Sequence, residues 1–263
     1  MTAKKLTPGG SLSNIRILDL TRVWAGPLAT RIFGDFGAEV IKISDPRVQL
    51  LSGNGLNNKL NRNKKNIGLR LDIESGRKVF LELVSTSDVV IENFRPRVMR
   101  NLGLSFDQLT RSNPNIVMVS MPGFGTEGPY SEFPAFGTTA EALAGIPSLI
   151  GYENGSPMST GIAYGDPISG LNAVSVILAA LRKRKHFGGG QFIDIALASS
   201  PISMIGEYIG AYSSSGELTT INGNRHPDYC PHGAFKCKGT DSWIAISITD
   251  DEEWESLYNI LSN

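Results

Sequence analysis

Asp166 has the most chemical promise in this sequence of 263 residues. It stands in Tyr164-Gly-Asp-Pro167, directly ahead of a long apolar, small-residue-rich segment from Ile168 to Lys185. Asp at a helix N-cap with Pro at the first helical position is a common helix start, and that accounts for the residue completely. A second use is compatible with the first. A carboxylate at a helix N-terminus is kept ionised by the dipole and is presented at a loop edge, where it can act as a nucleophile. The residue types alone leave both uses open.

Other constellations carry less. Asn61-Arg-Asn-Lys-Lys65 is a compact basic, amide-rich loop ahead of a strand-like Ile67-Gly-Leu-Arg-Leu71. It reads either as a solvated charge run or as a phosphate-binding loop, since Lys and Arg form charge-assisted bonds to phosphate oxygens. A literal G-x-G-x-x-G occurs at Gly123-Phe-Gly-Thr-Glu-Gly128, but Pro129 and Tyr130 follow it. A dinucleotide fingerprint needs a helix opening at that point, in the first β-α-β unit, so a nicotinamide dehydrogenase is not indicated. His226, Cys230, His232 and Cys237 match no common zinc spacing, and a loop with scattered polar groups is the preferred account. No G-x-S-x-G is present to support a serine hydrolase.

The elements that must position these residues follow from periodicity. Ile15 to Leu20 alternates as a strand, Leu28, Ile32, Phe33 and Phe36 fall at helical spacing, and Ala38 to Ile43 is the next strand. Two strands joined by a helical crossover lie parallel. The pattern repeats: a helix capped by Asp72, a strand at Asp88 to Glu92, a short helix through Asp107 to Thr110, and a strand at Ile116 to Ser120. Further on come a helix from Thr138 to Ala144, the long helix from Ile168, a strand at Gln191 to Ile195 and a helix from Leu197 to Tyr212. This alternation predicts an α/β fold, a Rossmann-like doubly wound large domain over residues 1–224. A hairpin, Ala234 to Lys238 with Trp243 to Ile248, and a helix from Asp250 predict the beginning of a second, smaller α+β domain over 225–263, read as cut off.

Composition narrows the class. Lys+Arg and Asp+Glu both number 25, and this balance argues against a nucleic-acid partner. No apolar run approaches the roughly 20 residues of a membrane helix, so no membrane partner is expected. Two cysteines make no disulfide framework, and the first residues lack a secretory h-region; a cytoplasmic location is expected.

Several segments in fixed order resemble one family, the family III CoA-transferases, which include formyl-CoA and carnitine CoA-transferases and the related α-methylacyl-CoA racemase. The segments are Ile17-Leu-Asp-Leu-Thr-Arg-Val-Trp-Ala-Gly-Pro27, Gly34 to Ile43, Asn61 to Lys65, Asp88-Val-Val-Ile-Glu-Asn-Phe-Arg-Pro96, Gly123 to Tyr130, Gly165-Asp166, and Ile177 to Leu181 through Gly190-Gln191. The resemblance runs from about Ile15 to the end. It implies that Asp166 is the catalytic carboxylate, attacking an acyl-CoA thioester and passing CoA to a free carboxylic acid through aspartyl anhydride and thioester intermediates. It also implies that Val23, Trp24, Lys64, Lys65, Asn93, Phe94 and Arg100 line or hold CoA.

On the same resemblance coenzyme A is a substrate and no cofactor is permanently bound. The partners are acyl-CoA and carboxylic acids, and the full-length chain is expected to form an interlocked homodimer. Departures from the family bear on substrate. Formyl-CoA transferase has Gln where Trp24 stands, which argues against a small oxalate-like acceptor. Its glutamate-containing segment corresponds to Ala135-Phe-Gly-Thr-Thr139, which has no acid, and Phe136 replaces the histidine that a racemase needs. Two alternatives stand beside the transferase reading: an acyl-CoA racemase, and a truncated, non-catalytic acyl-CoA-binding homologue.

Overall fold

The computed structural model describes residues 9–48 and 55–262, and the chain divides into two units. The first comprises residues up to Ala144 together with Gly161–Ile205; the second comprises Gly145–Thr160 and the chain from Gly206. The sequence reading sets the change of domain at 225. In the fold, the helix at Gly206–Ser215 belongs to the second unit and buries none of its residues.

The first unit contains β1 (Arg16–Asp19), α1 (Ala25–Asp35), β2 (Glu39–Ser44), α2 (Gly55–Asn61), β3 (Lys64–Gly68), α3 (Glu74–Val84), β4 (Val89–Glu92), α4 (Pro96–Asn101), α5 (Phe106–Ser112), β5 (Val117–Ser120), α6 (Gly137–Leu143), α7 (Gly165–Phe187) and β6 (Gln191–Asp194). Six parallel strands form one sheet in the order β3-β2-β1-β4-β5-β6. The chain winds outward from β1 through β3, then restarts at β4 and winds the other way. β1 and β4 therefore flank a topological switch point, and in such sheets the crevice at the carboxyl ends of the strands is where ligands bind. Both faces are covered, which explains why β4 and β5 are buried at every position. One face packs Ile17, Val40, Val89 and Val117 against Ala29 and Phe33 of α1 and Ala173 and Ile177 of α7. The other packs Leu18, Val90 and Met118 against Phe80 and Val84 of α3 and Leu109 of α5.

The expected alternation of strands and helices is present, with three local differences. β3 starts at Lys64, so the basic segment read as a loop is partly strand, paired with β2 through Val40↔Lys64 and Ile41↔Lys65. The long helix starts at Gly165, three residues early. Asp72 does not cap α3; the N-cap is Ile73, and the Asp72 carboxylate binds Arg70 at 2.7 Å and Arg47 at 3.1 Å instead.

The second unit holds α8 (Gly206–Ser215), an antiparallel hairpin of β7 (His232–Lys236) and β8 (Trp243–Ser247), and α9 (Asp251–Leu261). The α9 N-cap is Asp250, as the sequence suggests; its side chain accepts from the Glu253 amide at 2.9 Å, and Glu253 in turn accepts from the Thr249 amide at 2.8 Å. Among the described residues no helix is long and apolar enough to cross a membrane.

Candidate active site

Asp166 is the second residue of α7, and Tyr164 holds the N-cap position without a side-chain cap bond. This corrects the expectation of an exposed Asp N-cap. The carboxylate is only 7% exposed and turns away from its own helix toward two others. Gly170 shows why it can. One turn further along the same face of α7, a Cβ at Gly170 would lie 2.7 Å from the Ala25 carbonyl oxygen, so α1 begins directly against this helix. The Ala25 amide, the first of α1, donates to Asp166 Oδ1 at 3.2 Å. The other oxygen faces Gly137, the first residue of α6, where a Cβ would stand 2.1 Å from Oδ2. Three helix N-termini thus converge on one carboxylate.

The electrostatics also differ from the sequence expectation. Burial raises the Asp166 pKa above the ordinary carboxylate value, and the amides of Ala25 and Gly137 offset this only in part. Among the described residues no lysine or arginine pairs with it. Glu141 of α6, also buried, accepts from the Tyr164 amide at 3.2 Å and so fixes the entry to α7.

A second buried carboxylate, Asp19 at the end of β1, shapes the turn leading to Ala25. Its Oδ1 accepts from the Thr21 amide at 2.8 Å and hydroxyl at 2.5 Å, and from Lys42 at 3.3 Å. Its Oδ2 accepts from Thr30 at 2.7 Å and Lys64 at 3.0 Å. Burial alone would push its pKa up, but Lys42 and Lys64 with the two threonine hydroxyls hold it well below the usual range. Both ammonium groups also bind the backbone around the turn. Lys42 donates to the Thr21 carbonyl, and Lys64 donates to the Pro27 carbonyl at 2.9 Å.

Across the switch point, the chain after β4 meets the same turn. Asn93 Oδ1 accepts from the Arg22 amide at 2.7 Å, and Asn93 Nδ2 donates to the Arg22 carbonyl at 2.8 Å. The Arg22 guanidinium lies over the Phe94 ring at 5.4 Å. Buried Glu92 accepts from the Phe94 amide at 2.7 Å. Its burial pushes its pKa up to about 7, against hydrogen bonds from Ser120 and Phe94.

Of the residues expected on the CoA path, Val23, Trp24, Asn93 and Phe94 gather at this crevice. Val23 is 64% exposed, and it lines a cavity of about 310 Å³ together with Thr21, Arg22, Lys42 and Lys64. Lys64 is committed inward: its side chain is 2% exposed, and burial pulls its pKa down to about 8 despite Asp19. Lys65 follows it on a strand and so points to the opposite face, where it is 73% exposed and binds Glu39 at 2.7 Å. The two lysines therefore do not form one phosphate cradle. Arg100 is exposed on α4 and pairs with Glu132 at 3.4 Å. The G-x-G-x-x-G loop is tied to the end of β6, with the Thr126 amide and hydroxyl both held by Asp194 Oδ2 at 2.7 Å.

Sequence reasoning passed over Asp19, Lys42, Glu92 and Gly137. Asp19 and Glu92 carried a usable signal, since each is an acid ending an otherwise apolar strand that must be buried on both faces. Gly137 carried none, because its significance lies in a contact with a residue 29 positions away.

Fold and site together define a doubly wound α/β protein with a buried carboxylate held where three helices begin. The chain belongs to CoA-transferase family III, whose pattern matches residues 12–263. It is 34% identical to the succinyl-CoA–L-malate CoA-transferase beta subunit of Chloroflexus aurantiacus, over 95% of this chain and 64% of that protein. It is also 34% identical to the succinyl-CoA:mesaconate CoA-transferase of Haloarcula marismortui, over 94% of this chain and 66% of that protein. The chain thus spans 64% and 66% of the lengths of these two relatives. Among solved structures, a CAIB/BAIF family protein from Brucella suis is similar with a TM-score of 0.86 and 29% identity, covering 98% of this chain and 70% of that one.

Proposed function

We propose that the protein transfers CoA from an acyl-CoA thioester to a free carboxylic acid, with Asp166 as nucleophile. An ionised Asp166 oxygen attacks the thioester carbonyl carbon; the C–S bond breaks, leaving a mixed anhydride and CoA thiolate. The thiolate attacks the aspartyl carbonyl, releases the donor acid and leaves an aspartyl-CoA thioester. The acceptor carboxylate then displaces the thiolate to form a second anhydride. Thiolate attack on the acceptor's acyl carbon gives the new acyl-CoA and restores Asp166. The carboxylates attack as anions and each thiolate is used as C–S cleavage releases it, so the cycle moves no net proton.

One observation carries the reading: Asp166 is buried against two helix-first amides with no cation beside it among the described residues. Amides so placed stabilise the oxyanion formed each time a carbonyl on Asp166 is attacked. A raised pKa makes the carboxylate more basic than a solvated one, and burial keeps water from the anhydrides. Val23, Trp24, Asn93 and Phe94 supply the walls of the CoA path, and Arg100, whose exposed guanidinium pairs with Glu132, is read as meeting the nucleotide phosphates. Lys64 is assigned to the scaffold under the turn, and Lys65 to the surface.

The relatives named for succinyl-CoA suggest that thioester as donor, with malate or mesaconate as acceptors to try first. The assembly, on the family resemblance, is an interlocked homodimer of the whole protein, which sedimentation velocity tests. The activity is tested by mixing the protein with succinyl-CoA and each acid and following the new acyl-CoA by chromatography. Exchange that is lost in Asp166→Asn supports the reading. Exchange at the parent rate in that variant refutes it.

A further inference from the structure

We propose that Asn93 is the positioning residue for Asp166: its side-chain amide clamps the strained β1–α1 turn and so keeps the Ala25 amide on the carboxylate. This deepens, and rests on, the reading of Asp166 as nucleophile. The strain is local and specific. Val23 has φ +68°, in the left-handed region that β-branched side chains rarely enter. Trp24 follows at φ −135°, ψ −57°, outside the regular helical well, and α1 starts immediately after it without a side-chain cap. Strain of this kind persists only where the surroundings over-determine the backbone.

The surroundings hold both flanks of the turn. Upstream, Asp19 fixes Thr21 through its amide and hydroxyl at 2.8 and 2.5 Å. Downstream, Ala25 and Gly26 are already in α1 and buried, Ala25 against Gly170 of α7 and Gly26 against Thr21. Between these anchors Arg22 is held by Asn93, which engages both of its backbone groups at 2.7 and 2.8 Å. The arrangement continues the sheet by other means. The β1–β4 ladder ends at Asp19↔Ile91, with Leu20 donating to the Ile91 carbonyl at 2.9 Å. Two residues beyond Ile91, the carboxamide of Asn93 replaces a backbone, presenting one donor and one acceptor to the neighbouring strand's extension. A primary amide offers both from separate atoms in one plane, as a peptide group does. The Glu92 bond to the Phe94 amide and the Arg22–Phe94 contact orient the clamp from behind. With its amide occupied in this way, Asn93 meets CoA as a wall and acts on the reaction through Arg22, Val23 and Ala25.

The test uses the near-isosteric Asn93→Asp, which keeps the acceptor and loses the donor, in the full chain. Its crystal structure is expected to show Val23 out of the left-handed region and the Ala25 amide beyond hydrogen-bond distance of Asp166. Native-state hydrogen exchange is expected to show the Ala25 amide exchanging faster. The exchange rate of CoA should fall about a hundredfold, as misplacement by about 1 Å costs. Adding Val23→Gly should bring the Ala25 amide back to hydrogen-bond distance of Asp166 in the crystal and slow its exchange, because glycine adopts the left-handed conformation without a clamp. A direct ligand role for Asn93 predicts no such rescue. A turn unmoved in the crystal, Ala25 exchange unchanged, or a double variant no better than Asn93→Asp would each overturn the proposal. Failure of the nucleophile reading is separable: it shows as an active Asp166→Asn, while the turn geometry of Asn93→Asp still judges the clamp.

Discussion

Asp19 and Asp166 are carboxylates removed from water at the two ends of one turn, and burial raises the cost of charging both. Asp19 is met by two ammonium groups, two hydroxyls and an amide, which use both of its oxygens. Its charge is fixed, its lone pairs are taken, and it serves as the nail on which Thr21, Pro27 and three strands hang. Among the described residues Asp166 receives backbone amides and no counter-ion, so its oxygens remain available and more basic. The difference teaches that burial does not decide what an acid does; the number and charge of its partners do. Glu92 lies between the two cases, hydrogen-bonded but without a cation among the described residues, and burial pushes its pKa up to about 7.

The comparison can be broken first at Asp19. Asp19→Asn leaves Lys42 and Lys64 facing a neutral group in the interior, and stability should fall by about 3–5 kcal/mol in urea unfolding. A loss under about 1 kcal/mol would show that the lysines do not depend on it. Glu92 comes next. Its pKa is raised from 4.5 to about 7, so the folded state holds the proton more tightly than the unfolded chain. Stability from this group is therefore full below about pH 4.5 and declines as pH rises through 7, by up to roughly 3 kcal/mol. Glu92→Gln should flatten that part of the stability–pH curve; an unchanged slope would contradict the assignment.

Gly137→Ala sharpens the Asp166 side. A Cβ there would stand 2.1 Å from Oδ2, which must displace the carboxylate or α6. We expect a loss of about 1–3 kcal/mol in stability and a fall in CoA exchange, both absent if α6 simply tolerates the methyl group. The smallest effect is expected at Lys65, whose ion pair with Glu39 is exposed. Lys65→Ala should cost less than about 1 kcal/mol and leave CoA affinity, by titration calorimetry, unchanged; a large drop in affinity would return this lysine to the phosphate site.

Much of this fold was legible because its signals are local. The strand at Ile15 to Leu20, the helix after it and the strand at Ala38 each announce themselves by periodicity, and their alternation carries the doubly wound sheet. Asp166 was visible as an acid ahead of a long helix. Its chemistry was not, because that depends on Ala25 and Gly137, brought to it by the close packing of α1 and α6 on small residues of α7. Lys64 and Lys65 left a solvated run and a phosphate-binding loop both open, because two adjacent lysines give no apolar alternation that would separate an inward from an outward side chain. One of them enters the interior only because Asp19, 45 residues earlier, is there to receive it. Pairing at that range leaves no trace in spacing.

Asp166, and not Asp19, is the buried acid proposed to react. The direct measurement is chemical trapping. The protein is incubated with succinyl-CoA, quenched with hydroxylamine, digested and read by peptide mass. The account predicts a hydroxamate on the Asp166 side chain alone, dependent on the thioester and absent in Asp166→Asn. A hydroxamate on another carboxylate, or CoA exchange proceeding with no modification at Asp166, would contradict it.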